Sequence, residues 1–335
     1  MTTGIDSASR SDRIGWKGET LMSMASMFNL NALMQDDKKE DEDVCVMDIS
    51  NLAFATLFAN YSVKEQNEIN QNTIRHIILD TVRANVMKFK NNYPDIVLAL
   101  DDNKYWRRNV APYYKQKRRM EKAASDWDWD RLNSFIFPVY EELRQNLPYK
   151  VIRADFAEGD DIMGVITKNA VAEGKLVMVV SSDSDEVQLQ KYSGVKQWSP
   201  TQKKLVTPKY GSPINDLRMK IIKGDAKDSI ACIKMRSDYI ISKVDGERAP
   251  QIRSTELEEW LDAVDPVSLI EKVNPEWAKR YKENEILRDF DFIPVDIQEN
   301  IMIQYKQPNI GNKSKMSAYF IKNGLVRLYE KINDF

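Results

Sequence analysis

The stretch Ala157–Asp161, Ala-Glu-Gly-Asp-Asp, places three carboxylates within four residues, directly before the apolar run Ile162–Ile166. Two unit charges about 4 Å apart repel by roughly 4 kcal/mol at an effective dielectric near 20, so something must cancel the crowding. Acids close other apolar runs as well: Asp48 after VCVM, Asp101 after IVLAL, and Asp183 and Asp185 at the end of KLVMVVSSDSD. A single aspartate after a strand is well explained as a helix cap, because its side chain accepts from unpaired amides. Serine, threonine and asparagine cap equally well, so capping does not account for the whole set Asp48, Asp101, Glu158, Asp160, Asp161, Asp183 and Asp185. A hard divalent cation does: magnesium takes oxygen ligands, keeps several waters and needs neither histidine nor thiolate. Two such ions about 3.5–4 Å apart would share these acids and clamp the attacking and leaving oxygens of a phosphoryl transfer.

A basic segment follows Asp101. Residues 103–122 hold eight Lys or Arg against one Glu, interleaved with Tyr105, Trp106, Tyr113 and Tyr114. Alone, this would read as a solvated helix face. Beside an acid cluster it gains a second meaning, since lysine and arginine hold phosphates while aromatic rings stack on unpaired bases. The only histidine, His76, sits in an amphipathic helical pattern and is expected to be structural, which argues against a histidine general base. Two cysteines, Cys45 and Cys232, are too few for a disulfide framework or a structural zinc site and fit a reducing cytoplasm.

These residues need a frame to bring them together. At 335 residues, with 42% hydrophobic and 30% charged, the chain reads as soluble and globular, in two domains rather than one. The net charge of −2 averages over the opposed acidic and basic clusters. From Val44, short apolar runs alternate with helical periods at about 65–91, 127–145 and 162–173. That alternation predicts an α/β fold, a mostly parallel central sheet flanked by helices, over 44–210, with a basic arch at about 103–126. Acids at the strand ends then converge on the edge where open parallel sheets bind ligands. After Gly211 strand signals fade, predicting a smaller helical domain over 211–335. Trp127 and Trp129, among apolar residues at helical spacing, are expected in core or domain contacts. Residues 1–43 read as a flexible extension: a polar lead, the apolar stretch Leu21–Met34, too short and interrupted to span a membrane, and the charged run DDKKEDED.

Taken together, VMDISNLAF, LALDDNKYWRR, YKQKR, AEGDDIMGVI, SSDSDEVQL and KGDAKDSI resemble the phage 5′ nucleases of the flap-endonuclease superfamily, with the T-even type most similar. The resemblance covers about 43–335 in the same order. It implies a 5′ nuclease, PIN-like fold and an enzyme that removes RNA primers and adjacent DNA from lagging-strand fragments, in the cytoplasm of the infected bacterium. The implied cofactor is two Mg2+ ions, with Mn2+ as a substitute. Asp48, Asp101, Glu158, Asp160 and Asp183 match the acids around the first ion; Asp161, Asp185 and Asp228, with Asp225 beside it, match those near the second. Lys115 and Arg118 match arch residues that steer the scissile phosphate, Arg107 a further arch arginine, and Tyr114 a residue that stacks on a terminal base. Arg108, Lys117 and Arg119 in the arch and Lys223, Lys227 and Lys234 beyond it are expected to contact DNA or an RNA–DNA hybrid. The segment after Gly224 departs from many relatives, with Ser229 for the usual asparagine and without hairpin glycines, which puts potassium binding in doubt and suggests a longer or reshaped turn.

Met24, Met27, Phe28 and Leu30 lie in a stretch similar to the short peptides by which phage replication enzymes attach to a sliding clamp; packing on the protein's own surface is the alternative. The resemblance further implies a contact of the C-terminal domain with single-stranded-DNA-binding protein. A monomer with no membrane attachment is expected. The rival readings are a catalytically inactive nucleic-acid platform, which gains nothing from retaining the acids, and a phosphatase or single-domain ribonuclease, against which the basic segment and second domain count.

Overall fold

The computed structural model describes residues 42–248 and 250–335. The extension, apart from its last two residues, and with it Met24, Met27, Phe28 and Leu30, lies outside the described residues. Six strands form one sheet: β1 (Val44–Asp48), β2 (Asp95–Ala99), β3 (Lys150–Ile152), β4 (Val177–Val180), β5 (Val195–Ser199) and β6 (Lys204–Leu205). Their order is β3-β2-β1-β4-β5-β6, parallel except for β6 at the edge. The winding direction reverses between β1 and β4, which opens a crevice at the carboxyl ends of these two strands.

The main helices are α1 (Ile49–Asn60), α2 (Gln71–Phe89), α3 (Gln116–Ala123), α4 (Trp129–Asn146), α5 (Gly159–Ala172), α6 (Pro213–Lys223), α7 (Ser254–Asp262), α8 (Pro266–Val273), α9 (Pro275–Arg288), α10 (Val295–Lys306) and α11 (Lys313–Lys322). The helix expected over 65–91 is broken: a 3-10 turn, Val63–Glu68, precedes α2, whose cap Asn70 accepts from the Thr73 amide at 3.1 Å. The next difference matters more. Helix α5 starts at Gly159 rather than Ile162, so Asp160 and Asp161 occupy its first turn and Glu158 its N-cap. Negative charge there is favoured by the helix dipole, a local reason for part of the crowding. Strands β5 and β6 carry Lys196, Gln197 and Lys204 in place of an apolar run, which is why the sequence pattern did not reveal them.

Side chains of β1 alternate between two cores. Cys45 and Met47 join a cluster with α2, α4 and α11, while Val44 and Val46 join one with α5 and α10. A parallel strand buried on both faces is apolar throughout, as this one is. The helical C-terminal region divides its contacts. Helices α6 to α9 enclose an apolar cluster of their own around Trp260, Ile270 and Tyr281, whereas residues beyond Phe290 return to cover both faces of the sheet. From residue 42 onward the chain is one compact unit. No helix among the described residues is long and apolar enough to cross a membrane.

Candidate active site

At the β1/β4 crevice a pocket of about 560 Å³ is lined by Asp48, Asp101, Glu158, Asp160, Asp183, Asp185 and Asp228. Local structure places each one. Asp48 both ends β1 and caps α1, accepting from the Asn51 amide at 2.9 Å, so the capping role and the cluster role coincide in one residue. Asp101 accepts from the Gly159 amide at 2.7 Å, and its own amide donates to the Ser50 hydroxyl at 2.9 Å. Asp183 accepts from the Asp185 amide at 3.0 Å, which folds the chain after β4 into the short helix Glu186–Lys191.

That turn delivers a residue absent from the expected set. Glu186 is fully buried, and neither carboxylate oxygen meets a donor among the described residues. Oxygens of Asp48, Asp160 and Glu186 lie within 4.8 Å of one another. The electrostatics match this geometry. Burial, then the neighbouring charge of Asp183, pushes Asp160 up to about 8. Burial, then Asp160 and Asp183, raises Glu186 well above the carboxylate range, and burial, then Asp101 and Asp160, does the same to Asp48. Carboxylates that resist ionisation together, one of them buried without a donor, are a donor set that fits a hard divalent cation. No soft ligand stands among them.

Elsewhere the acids carry their own counter-charges. Glu158 pairs with Arg107 at 2.9 Å and with Lys115, and accepts from the Tyr114 hydroxyl at 2.9 Å. Burial opposes its ionisation, but these two cations outweigh it and hold Glu158 down at about 2. Asp228 pairs with Arg118 at 2.7 Å and Arg288 at 2.9 Å; Asp185 pairs with Arg288 at 2.8 Å and with Lys220; Asp225 pairs with Arg288 at 2.6 Å.

Several expected residues are placed otherwise. Arg107 is not an exposed arch residue: it is 2% exposed, locked between Glu158 and Asp161, with Nε donating to the Leu287 carbonyl at 2.9 Å. Asp161 is fully buried, held by Arg107 and by the Trp106 indole at 3.1 Å while capping the Glu158 amide, and it does not line the pocket. Tyr114 is 3% exposed with its hydroxyl on Glu158, which leaves no open face for a base. Lys234 is tucked against Glu256 at 2.8 Å and over the Trp277 ring at 4.5 Å, so it is not a free phosphate contact. For Arg107, Asp161 and Tyr114 a buried partner claimed the side chain, and for Lys234 the partners are half-buried.

The remaining cations stand where a strand could meet them. Arg108, Lys115, Arg118, Arg119 and Lys122 line the same pocket as the acids, Lys117 sits on α3 beside them, and Lys223 and Lys227 are exposed. Phe54, Phe58 and Trp129 line the same pocket; Phe58 stacks on Phe54 at 5.9 Å and meets Trp127 at 5.1 Å and Trp129 at 5.6 Å. The two tryptophans pack against the core as expected, and Trp129 in addition faces the pocket. His76 stays on α2, away from it.

The segment after α6 is tighter than its missing glycines suggested. Asp225 and Ile230 pair as an antiparallel bridge, Gly224 adopts φ 72°, and a Cβ there would meet the Ile230 carbonyl at 2.3 Å. Ser229 takes a left-handed φ of 62° and its hydroxyl accepts from the Lys117 amide at 2.9 Å, while the Lys115 amide donates to the Asp228 carbonyl at 2.8 Å. This turn therefore anchors the foot of the arch.

Comparison with known proteins agrees with this architecture. The family model "5'-3' exonuclease, N-terminal resolvase-like domain" matches residues 43–212, and "T4 RNase H, C terminal" matches residues 211–335. The chain is 38% identical over 311 residues to the ribonuclease H of Enterobacteria phage T4, covering 92% of this chain and 100% of that protein. It is 29% identical over 155 residues to an exodeoxyribonuclease of Enterobacteria phage T3, covering 44% of this chain and 48% of that one. Among solved structures, the T5 D15 protein co-crystallised with metal ions aligns with a TM-score of 0.57 at 16% identity, over 78% of this chain and 97% of that one. A complex of the bacteriophage T5 D15 flap endonuclease with DNA and metal ions gives 0.56 at 17% identity, over 79% and 99%. At these identities the structural likeness speaks for the fold.

Proposed function

We infer function from one premise: the chain belongs to the 5′-3′ exonuclease family, with a C-terminal region of the T4 RNase H type. It is a nuclease of that family, and the reading proposed is a magnesium-dependent 5′ to 3′ nuclease and flap endonuclease. Its substrates are RNA–DNA and DNA duplexes, and its task is removal of RNA primers and adjacent DNA during phage lagging-strand replication, in the cytoplasm of the infected cell. The observation that carries this reading is the convergence of Asp48, Asp160 and the buried Glu186 at a pocket that Asp48 and Asp160 line together with cationic and aromatic residues.

Asp48, Asp160 and Glu186, with Asp101 and Asp183 beside them, would hold the first Mg2+, and Asp185, Asp225 and Asp228 the second, with Mn2+ as a substitute. When bound, such ions lower the pKa of water toward neutrality and offset charge on a phosphate. The chain's own residues supply the rest. Lys115 and Arg118 stand at the pocket wall with their charges on Glu158 and Asp228, and an arriving phosphodiester offers them anionic oxygens in exchange. Phe54, Phe58 and Trp129 give an unpaired base an apolar face next to Lys122, whose ammonium lies 4.3 Å from the Trp129 ring. The proton released by the attacking water has no histidine to accept it in the pocket, which leaves carboxylates and solvent.

Product sizing on a labelled 5′ flap bearing an RNA 5′ segment, with and without Mg2+, tests the reading. Mg2+-dependent release of short 5′ products is expected. Binding without cleavage at saturating Mg2+ would instead make the chain an inactive platform.

A further inference from the structure

Arg288 ends α9 with its side chain only 3% exposed. Nη1 donates to Asp185 at 2.8 Å and to Asp228 at 2.9 Å, and Nη2 donates to Asp225 at 2.6 Å. Carboxylates from two separate segments thus meet on one side chain. The main chain is pinned as well: Gln188 Nε2 donates to the Arg288 carbonyl at 3.0 Å, and the Gln188 side-chain oxygen accepts from the Phe290 amide at 3.0 Å. Gln188 belongs to the same short helix as Glu186, so Arg288 is held in register with the cluster at Asp48, Asp160 and Glu186. Lys220 adds a cation on Asp185, and Arg118 adds one on Asp228.

The acids of the site therefore fall into two groups of opposite character. Asp48, Asp160, Asp183 and Glu186 form no ion pair among the described residues, whereas Asp185, Asp225 and Asp228 face three cations. A divalent ion entering the first group relieves repulsion that no ion pair among the described residues relieves. An ion entering the second group must share carboxylates already neutralised, and a buried guanidinium stripped of its partners is costly.

Given metal-dependent hydrolysis at this pocket, on which the inference rests, we propose that Arg288 is a positioning residue that makes the two cation sites unequal. It orients Asp185, Asp225 and Asp228 while discounting their charge, so the chain binds one divalent ion tightly and a second weakly. Lys220 reinforces the discount from the solvent side, where its ammonium is 21% exposed.

The test is a Mn2+ titration of the metal-stripped full chain, followed by electron paramagnetic resonance of the free ion. Wild type is expected to bind one Mn2+ tightly and a second at least about tenfold more weakly, because three cations already face the second group of acids. Arg288→Met removes a positive charge beside three carboxylates and should strengthen the second ion at least about tenfold while leaving the first within about twofold, and Arg288→Lys keeps the wild-type pattern. Lys220→Met removes a counter-charge at a more exposed position and should shift the second ion in the same direction if Arg288→Met fails to fold. Two equally tight ions in wild type, or a second ion unchanged or weakened in both methionine variants, would overturn the proposal. Absence of any tight Mn2+ in wild type would instead remove the metal-dependent reading beneath it.

Discussion

Replacing Asp160 by Asn should stabilise the metal-free protein at alkaline pH while removing its response to Mg2+. In the fold Asp160 is pushed up to about 8 by burial and then by Asp183, against an ordinary value of 3.8. The folded state therefore binds the proton more tightly than the unfolded chain. The resulting stability is fully present below about pH 4 and is lost as pH rises through about 8. At about 1.4 kcal/mol per pKa unit the full shift would approach 6 kcal/mol. Asp160 lines an open pocket and is only half-buried, so solvent screening brings the expected effect down to about 2 kcal/mol.

Above pH 8, in chelator, Asp160→Asn should exceed wild type by that amount, or by roughly 3 °C in melting temperature for a chain of this size. At pH 5, where wild-type Asp160 holds its proton, the two should melt together. Adding Mg2+ at pH 8.5 should raise the wild type and leave the variant nearly unmoved, since a neutral amide replaces a charged ligand. Differential scanning calorimetry at the two pH values, with and without Mg2+, reads all three expectations. A stability difference that is the same at pH 5 and pH 9, or an equal Mg2+ response in both proteins, would refute the view that Asp160 is an acid waiting for a cation.

Three further outcomes are expected. Asp183→Asn should abolish turnover while flap affinity, read by fluorescence anisotropy in Mg2+, stays near wild type; retained cleavage would remove Asp183 from the site. Arg107→Gln leaves Glu158 and Asp161 buried without their guanidinium and should cost about 3–5 kcal/mol in a denaturant melt, whereas an arch arginine would lose DNA affinity and little stability. Deleting residues 1–43 should spare distributive flap cleavage and remove stimulation by a sliding clamp, and unchanged stimulation would assign that segment no such role.

Asp48, Asp101 and Asp183 were readable because each ends an apolar run, and a parallel sheet turns that one-dimensional regularity into a shared edge. Glu186 carried a weaker signal in the same run. It follows Asp183 by three residues, across a bend at Ser184 and Asp185 that leads into the short helix beginning at Glu186. Nothing local marks that turn as helical rather than extended, so the residue passed as an ordinary acid. Strands β5 and β6 were hidden for a related reason, since strands at the end of a sheet pack one face poorly and keep lysines.

Cations were the harder class, because a run of lysines and arginines looks uniform until burial divides it. Arg107 and Arg108 are neighbours in sequence, yet one is locked under Glu158 and Asp161 and the other lies at the pocket wall over Tyr105 at 4.6 Å. Arg288 lay further from view: 60 residues or more separate it from each of its three acids, and at a helix end an arginine reads as a complement to the dipole. One rule sorts all of them. An acid with a buried cation belongs to the frame, and an acid without one is left for the cation that must come from solution. Glu158 and Asp161 thus shape the site, Asp185, Asp225 and Asp228 keep only a share of their charge for a second ion, and Asp48, Asp160 and Glu186 are the open valence.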